Sequence, residues 1–248
     1  MKPAPRPGIL PARIAASTAL LAGSVAFAQL LPAVSALRRL RNVALPRLSG
    51  VGWPRHVALT FDDGPDPVST PAFLDALDAL GWRATFFMLG KMAAAAPELV
   101  IEVAQRGHEV AVHGFQHSNH LRRSPWWTTQ DLQAARDLLA ELSGSPPRWF
   151  RPPYGALASG TLVATRRAKL QPVLWTTWGR DWQETTTPES VVKEVTASMV
   201  NGATVLLHDS DSTSSPGAWK ATLAALPLLG ELWAARGLTV GPLCEHGL

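Results

Sequence analysis

Two acidic residues and two histidines have the types and spacing of a hydrolytic metal centre. In VALTFDDGPDP (57–67) an apolar run leads directly into Asp62 and Asp63, whose like charges repel unless a cation lies between them. In HGFQH, His113 and His117 stand four residues apart, so both imidazoles can face one point, as in many zinc sites. Two imidazoles and one carboxylate leave a fourth position for water, and the other carboxylate can accept a proton from that water. A polar turn and two surface histidines are the alternative interpretation.

A further histidine could serve as an acid. His208 follows the apolar run of TVLLHDSD, where an imidazole can act as a general acid near neutral pH. In TTWGRDW, Asp181 can orient that imidazole and stabilise its charge, and Trp182 can form the wall of a small apolar pocket. The alternative is a histidine satisfied within the core and a tryptophan that only packs.

The stretch RWFRPPYGAL predicts a rigid loop that could bind a developing negative charge. Arg151 precedes two prolines, which hold the chain extended, and Tyr154 and the permissive Gly155 follow them. Such a loop can direct the Tyr154 N–H outward as an oxyanion donor. A plain turn from strand to helix is the alternative.

The elements that must position these residues follow residue 55, where short apolar runs alternate with helix-like stretches. That alternation is typical of parallel β/α units. We expect strands near residues 57–61, 84–89, 109–113, 149–151, 172–175, 204–208 and 238–240. The pattern predicts an α/β fold, a (β/α) barrel with an irregular strand number. Chemistry in such barrels lies at the carboxyl ends of the strands, where Asp62, His113, Arg151 and His208 fall.

Composition excludes two classes of protein. The 248 residues are 46% hydrophobic and 17% charged, which supplies enough apolar surface for an ordered core. The net charge of +4 does not indicate nucleic-acid binding. Residues 1–50 hold seven basic residues and no acidic one, so the remaining chain carries slightly more acidic than basic side chains. We therefore expect no nucleic-acid partner. The single cysteine permits no intramolecular disulfide.

The N-terminal segment predicts export or membrane association. Between Arg13 and Arg38 lie 24 uncharged residues, which as a helix would be about 36 Å long, enough to cross a bilayer core. Basic residues precede this stretch, and AFA at 26–28 resembles a signal-peptide cleavage site. We expect a hydrophobic helix within residues 1–37 acting as signal peptide or membrane anchor, a linker over 38–55, and the main domain over 56–248. An Ala-rich helix packed on the domain is the alternative.

Taken together, five stretches resemble the polysaccharide deacetylases of carbohydrate esterase family 4, the NodB-homology domain. They occur in the family's order over roughly residues 55–241. The five stretches are TFDDG at 60–64, HGFQH at 113–117, RPPYG at 151–155, RDW at 180–182 and LLHD at 206–209. The resemblance implies a distorted (β/α)7 barrel, in agreement with the strand pattern.

The same resemblance implies a role for each matching residue. Asp62 would be the catalytic base and Arg151 its partner, His208 the acid and Asp181 its tether, and the Tyr154 N–H an oxyanion donor. Trp182 and Leu206 would line the pocket for the acetyl methyl group. Asp63, His113 and His117 would hold a divalent metal, usually zinc and sometimes cobalt or another ion.

Two positions depart from the family pattern. Trp178 stands where an acidic or amide residue is usual, so the polar contacts of that position are lost or replaced. Gly114 stands where Ser or Thr is common, which removes a hydroxyl that would steady the metal loop. Neither departure touches a predicted ligand, base or acid.

These observations predict a metal-dependent hydrolase that removes N-acetyl or O-acetyl groups from a polysaccharide such as peptidoglycan or chitin. We expect it to be exported or membrane-anchored, with an acylated glycan as substrate. A deacylase or deformylase of a lipid-linked sugar is one alternative. A non-catalytic glycan-binding barrel is the other.

Overall fold

The computed structural model describes residues 37–248, which form a parallel sheet surrounded by helices. The strands are β1 (His56–Asp62), β2 (Thr85–Met88), β3 (Glu109–Val112), β4 (Trp149–Phe150), β5 (Gln171–Pro172), β6 (Thr177–Trp178), β7 (Thr204–His208) and β8 (Thr239–Gly241). The α-helices are α1 (Arg38–Ala44), α2 (Pro46–Ser49), α3 (Thr70–Leu80), α4 (Gly90–Ala95), α5 (Pro97–Gln105), α6 (Pro125–Ser143), α7 (Ser159–Arg167), α8 (Pro188–Ala197) and α9 (Trp219–Ala235).

The sheet is parallel throughout and curls around a filled interior. Its order is β5-β4-β3-β2-β1-β7-β6, and β8 pairs with the first residues of β1. The register sets Asp62, the last residue of β1, beside Phe87 of β2 and His208 of β7. Parallel strands linked by helices confirm the predicted distorted (β/α)7 barrel class.

The predicted strand at 172–175 is replaced by two short strands, β5 and β6, which lie at opposite ends of the sheet order. The residues between them bond elsewhere. The guanidinium groups of Arg151 and Arg41 donate to the carbonyls of Leu174 and Trp175, respectively. The Leu174 N–H donates to the Leu48 carbonyl. Two arginine side chains and the backbone of α2 therefore take the hydrogen bonds that a longer strand would have made at residues 174 and 175.

The two-residue period of β1 separates the core from the site. Leu59 and Phe61 pack in the hydrophobic layer between sheet and helices, where the Phe61 ring lies 5.1 Å from that of Phe73. Thr60 and Asp62 alternate with them and are equally buried, and both bond to the guanidinium group of Arg151. One strand thus contributes to the core and to the site at once.

Local sequence signals place the helices so that their first turns lie at the carboxyl ends of the strands. α5, α6 and α8 begin with proline, whose missing N–H costs nothing in the first turn of a helix. At α6 the Ser124 hydroxyl also accepts from the Trp127 N–H, 3.2 Å away. α3 ends at Gly81, whose φ of 65° closes the helix in the left-handed conformation.

The segment predicted as a linker, 38–55, contains α1 and α2, which pack against the barrel. Arg41 of α1 is buried, bonds to the Ser49 hydroxyl at 3.0 Å, and donates to the Trp175 carbonyl at 2.6 Å. The Gly50 carbonyl accepts from the Thr204 hydroxyl of β7 at 2.6 Å. The hydrophobic helix predicted within residues 1–37 lies outside the described residues, apart from Leu37.

Among residues 37–248, none of the helices combines the length and the hydropathy that a membrane span requires.

Candidate active site

The structure brings the predicted site residues together at the carboxyl ends of the strands. Eight of them line one cavity of about 310 Å³: Asp62, Asp63, His113, His117, Tyr154, Trp182, Leu206 and His208. The other two, Arg151 and Asp181, lie behind the cavity and bond to Asp62 and His208. Residues from β1, β7 and the segments after β3, β4 and β6 therefore converge as the sequence pattern predicts.

Asp62 is held by a fully buried arginine. The Arg151 guanidinium donates to Asp62 Oδ1 at 2.7 Å, to the Thr60 hydroxyl at 2.8 Å and to the Leu174 carbonyl at 3.1 Å. It also lies 4.0 Å from the centroid of the Phe87 ring. These contacts fix one oxygen of Asp62 and leave Oδ2 on the side of His113, 3.7 Å from its Nε2.

Asp63 faces both histidines of the HGFQH stretch. Its Oδ1 lies 3.3 Å from His113 Nε2 and 3.5 Å from His117 Nε2. His113 Nδ1 lies 2.9 Å from the Arg151 carbonyl. Since a carbonyl only accepts, Nδ1 carries the hydrogen of the neutral ring and the Nε2 lone pair points at Asp63. The rings therefore present acceptor atoms to a carboxylate that also only accepts.

That arrangement fits a divalent cation. Asp63 Oδ1 is buried and has no hydrogen-bond partner within residues 37–248, although buried polar atoms are normally paired. The three ligand atoms of Asp63, His113 and His117 all lie within 4.8 Å of one another. Two imidazole nitrogens and one carboxylate oxygen form a donor set typical of catalytic zinc. A cation among them would satisfy all three atoms.

The charges of this cluster shift the pKa values of its members. Burial lowers the pKa of His117 to about 4, and the charge of His113 adds to the effect, so His117 is neutral near pH 7. Burial alone would lower the pKa of His113, but the charges of Asp62 and Asp63 outweigh it and raise that pKa. Burial alone would raise the pKa of Asp63, but the three neighbouring imidazoles, His113 above all, lower it well below its usual range. The two carboxylates thus stabilise positive charge in their midst.

His208 and Asp181 form a pair at the opposite wall. His208 Nδ1 lies 2.8 Å from Asp181 Oδ1, and Asp181 Oδ2 accepts from the His208 backbone N–H at 2.8 Å and from the Thr222 hydroxyl at 2.9 Å. Burial alone would lower the pKa of His208, but the charge of Asp181 and its hydrogen bond raise it to about 10. The ring is therefore protonated at neutral pH, and its Nε2 lies 3.9 Å from Asp63 Oδ2.

Tyr154 and three tryptophans line the mouth of the cavity. Tyr154 adopts a φ of 61°, and its exposed ring lies 4.5 Å from that of His117. Trp178, at the position that departs from the family pattern, lies 5.7 Å from Trp175 and 5.1 Å from Trp182, measured between ring centroids. The polar contacts expected at position 178 are thus replaced by a continuous aromatic wall.

The loop 209–217 contributes contacts that the sequence did not predict. The Thr213 hydroxyl donates to Asp63 Oδ2, and the Ser212 hydroxyl donates to the Asp63 backbone carbonyl at 3.2 Å. Asp63 itself has a φ of 79°, so this loop holds a carboxylate on a strained turn. The run DSDSTSSPG reads only as a polar loop, and no spacing in it signals contact with residue 63.

Asp131 of α6 is a second residue missed by sequence reasoning. Its two carboxylate oxygens accept from the Phe115 N–H at 2.9 Å and the Gln116 N–H at 3.0 Å, inside the HGFQH loop. Gly114 has a φ of 96°, and a Cβ there would lie 3.0 Å from Asp131 Oδ2 and from the Gln116 carbonyl oxygen. The loop that lacks the usual hydroxyl is therefore held by a carboxylate from the neighbouring helix.

Fold and cavity together define a class: curled β/α barrels with an Asp-His-His cluster at the carboxyl ends of the strands. Comparison with known proteins narrows this class to one family. The family model described as "Polysaccharide deacetylase" matches residues 51–173. A chitooligosaccharide deacetylase of Bradyrhizobium is 35% identical over 204 residues, covering 78% of this chain and 91% of the relative. The chain belongs to the polysaccharide deacetylase family.

Two peptidoglycan deacetylases support the same placement. A peptidoglycan-N-acetylglucosamine deacetylase of Bacillus cereus is 37% identical over 200 residues, covering 77% of this chain and 88% of the relative. The crystal structure of the Bc1960 peptidoglycan N-acetylglucosamine deacetylase superposes with a TM-score of 0.74 at 27% identity, covering 81% of this chain and 91% of that one. The similarity therefore extends over most of the described barrel.

Proposed function

We propose that this chain is a metal-dependent hydrolase that removes acetyl groups from an N-acetylated polysaccharide of the peptidoglycan or chitin type. One observation carries the proposal. A buried Asp63 oxygen that has no hydrogen-bond partner among residues 37–248 faces two histidine nitrogens, and a second carboxylate, Asp62, lies beside it. The activities for which these relatives are named, deacetylation of chitooligosaccharides and of peptidoglycan, support a polysaccharide substrate.

In this proposal Asp63, His113 and His117 hold the cation, and Asp62 is the base. A divalent cation acts as a Lewis acid toward the substrate carbonyl and lowers the pKa of an attacking water. Zinc suits the donor set best, with cobalt or another ion as alternatives. Arg151 binds Asp62 Oδ1 and orients that carboxylate. The proton of the attacking water then passes to Asp62 Oδ2.

His208 supplies the second proton transfer. Asp181 holds its Nδ1, so Nε2 faces the cavity and carries a proton at neutral pH. Expulsion of an amine from a tetrahedral centre requires protonation of its nitrogen, because an amide anion is a very poor leaving group. Acid–base help of this kind typically contributes about 10²–10⁴ in rate. The products are acetate and a free amino sugar.

The remaining cavity residues would bind the acetyl group and the sugar. The Tyr154 N–H would donate to the oxyanion, and Trp182 and Leu206 would contact the acetyl methyl group. Trp175 and Trp178 extend this wall outward, where aromatic faces can stack on sugar rings. Substrates of this type lie outside the cytoplasm. Export, with residues 1–37 as signal peptide or anchor and residues 56–248 as the catalytic domain, is part of the proposal.

Acetate release tests the proposed function. The zinc-loaded protein should release acetate from an N-acetylglucosamine oligomer, chelation should stop the reaction, and Asp62→Asn should abolish it while zinc content is retained. Asp137→Asn, at an exposed position on α6, is the matched control and should leave turnover unchanged. Saturable glycan binding with bound zinc but no release from any acylated sugar would instead indicate a non-catalytic glycan-binding barrel.

A further inference from the structure

A second depression adjoins the catalytic cavity and shares two of its residues. This depression of about 560 Å³ is lined by His117, Ser118, Asn119, Arg122, Arg123 and Tyr154. His117 and Tyr154 also line the catalytic cavity, so the depression and the cavity share one wall. We call the four remaining residues, Ser118, Asn119, Arg122 and Arg123, the basic shelf.

The basic shelf carries two cations without acidic partners. Arg122 and Arg123 are exposed, and neither forms an ion pair with any carboxylate of residues 37–248. Asp131 lies within electrostatic range of Arg123, but both of its oxygens accept backbone N–H groups. The catalytic cavity beside the shelf presents two carboxylates. The Asp62 carboxylate is already bound by Arg151, and Asp63 faces two histidines, so among residues 37–248 neither carboxylate neutralises the guanidinium groups of the shelf.

The shelf is ordered by its own contacts. The Arg123 guanidinium donates to the Ser118 hydroxyl at 3.2 Å and lies 4.5 Å from the centroid of a Trp127 ring. The Asn119 side chain accepts from the Leu121 N–H at 3.0 Å and caps the short helical turn that ends at Arg122. A guanidinium held in this way loses less conformational freedom when it binds an anion.

We propose that the basic shelf binds an anionic group on the substrate, so that the enzyme prefers acidic N-acetylated glycans to neutral ones. This inference rests on the proposed function. Guanidinium groups match the geometry of carboxylate and phosphate, and the Ser118 and Asn119 side chains add hydrogen-bonding groups. The shelf adjoins the catalytic cavity through His117 and Tyr154, so a substituent next to an acetamide bound at the Asp63 cluster could contact it.

The substrate class that fits is a 2-acetamido sugar with a free carboxylate on its 3-oxygen substituent, as in peptidoglycan strands whose stem peptides have been removed and not in chitooligosaccharides. A phosphate attached to the sugar would offer the same charge. The carboxylate is favoured because its carrier oxygen is on C3, next to the acetamide-bearing C2, and is present on internal residues of a polymer, whereas a phosphate on the other neighbour, C1, is possible only at a chain end. One arm of the experiment tests a phosphate-bearing oligomer separately.

The test compares matched oligomers on the zinc-loaded full-length protein. The first bears the free carboxylate, the second has that carboxylate converted to an amide, the third is a neutral N-acetylglucosamine oligomer, and the fourth ends in a sugar phosphate. Both kcat/KM for acetate release and the Kd from calorimetry are measured. We expect the free carboxylate to improve both by about threefold to tenfold over its amide, and this preference to fall in about 0.5 M salt.

Variants assign the preference to the shelf. Arg122→Gln and Arg123→Gln should each remove most of the preference while turnover of the neutral oligomer changes less than about twofold. Arg166→Gln, in the last turn of α7 and so at the opposite end of the barrel, should retain it. Because Arg123 lies near the metal loop, nearly unchanged turnover of the neutral oligomer also shows that the substitution leaves that loop intact.

Equal binding of the carboxylate oligomer and its amide by the wild-type protein would overturn the inference, as would a preference that survives in Arg122→Gln/Arg123→Gln. A preference for the phosphate oligomer alone would overturn the carboxylate assignment. If no oligomer releases acetate, the proposed function fails separately, and the calorimetric preference still decides the role of the shelf.

Discussion

Replacing Asp131 by alanine should loosen the metal loop without touching a proposed ligand. In the structure its carboxylate accepts the N–H groups of Phe115 and Gln116 at 2.9 and 3.0 Å, and the side chain is buried. Hydrogen bonds to a charged group contribute about 1.5–3 kcal/mol each. Phe115 is half-buried and Gln116 is exposed, so water can replace part of both bonds once the carboxylate is removed. We therefore expect Asp131→Ala to lower the free energy of unfolding by about 2–3 kcal/mol.

The same substitution should weaken metal binding. His117 lies on the loop that Asp131 holds, one residue beyond Gln116, so its Nε2 loses its fixed position relative to Asp63. Loss of a group that orients a metal ligand typically costs about 10–100-fold in metal affinity. The assay is a zinc titration against a competing chelator, together with urea unfolding with and without zinc.

Two further variants make the test specific. Asp131→Asn keeps one acceptor oxygen, so its losses of stability and of zinc affinity should be roughly half of those caused by alanine. Asp137→Ala, on the same helix but exposed and paired only with Arg136, should change neither quantity. If Asp131→Ala binds zinc as the wild type does and unfolds within about 0.5 kcal/mol of it, the loop is held by something other than this carboxylate.

Three other outcomes follow from the site and from a histidine pair at the other end of the barrel. Arg151→Met leaves Asp62 as an unpaired buried carboxylate and should cost about 3–5 kcal/mol in urea unfolding; full stability in this variant would contradict the role given to the pair. Asp181→Asn removes the charge that raises the pKa of His208, so kcat should fall by about 10² and the alkaline limb of the acetate-release profile should move to lower pH; an unchanged profile would exclude His208 as the acid. Burial and the neighbouring His56 lower the pKa of His246 to about 4. The unfolded chain therefore binds more protons than the folded one between about pH 6.5 and 4, and stability should fall across that window by up to about 3 kcal/mol. His246→Asn should flatten the urea-unfolding profile over that range, and a profile identical to wild type would contradict this assignment.

The sequence predicts those parts of the site that depend on strand order and alternation. Asp62 ends a strand whose alternate residues face the interior, and His208 ends the neighbouring strand in register with it. In a parallel barrel such residues must converge, because the carboxyl ends of all strands lie at one rim. The resemblance to a known family then assigns roles to them, and those roles remain proposals.

Contacts made by loops and by distant side chains could not be predicted. Thr213 reaches Asp63 from 150 residues away, and the path of its loop depends on the whole rim. Asp131 occupies a helical position that, read alone, predicts only a polar face. Between β5 and β6, Arg151 and Arg41 bond to the backbone carbonyls of Leu174 and Trp175. No local propensity in residues 172–175 signals these partners.

The burial of Arg41 has a mechanical consequence. Its guanidinium joins α1 to the Trp175 carbonyl, on the segment that carries the aromatic wall. A displacement of α1 would therefore also move this segment of the rim. Because Arg38 of the same helix bonds to the Ser198 hydroxyl at 3.1 Å, the end of α8 would shift with it.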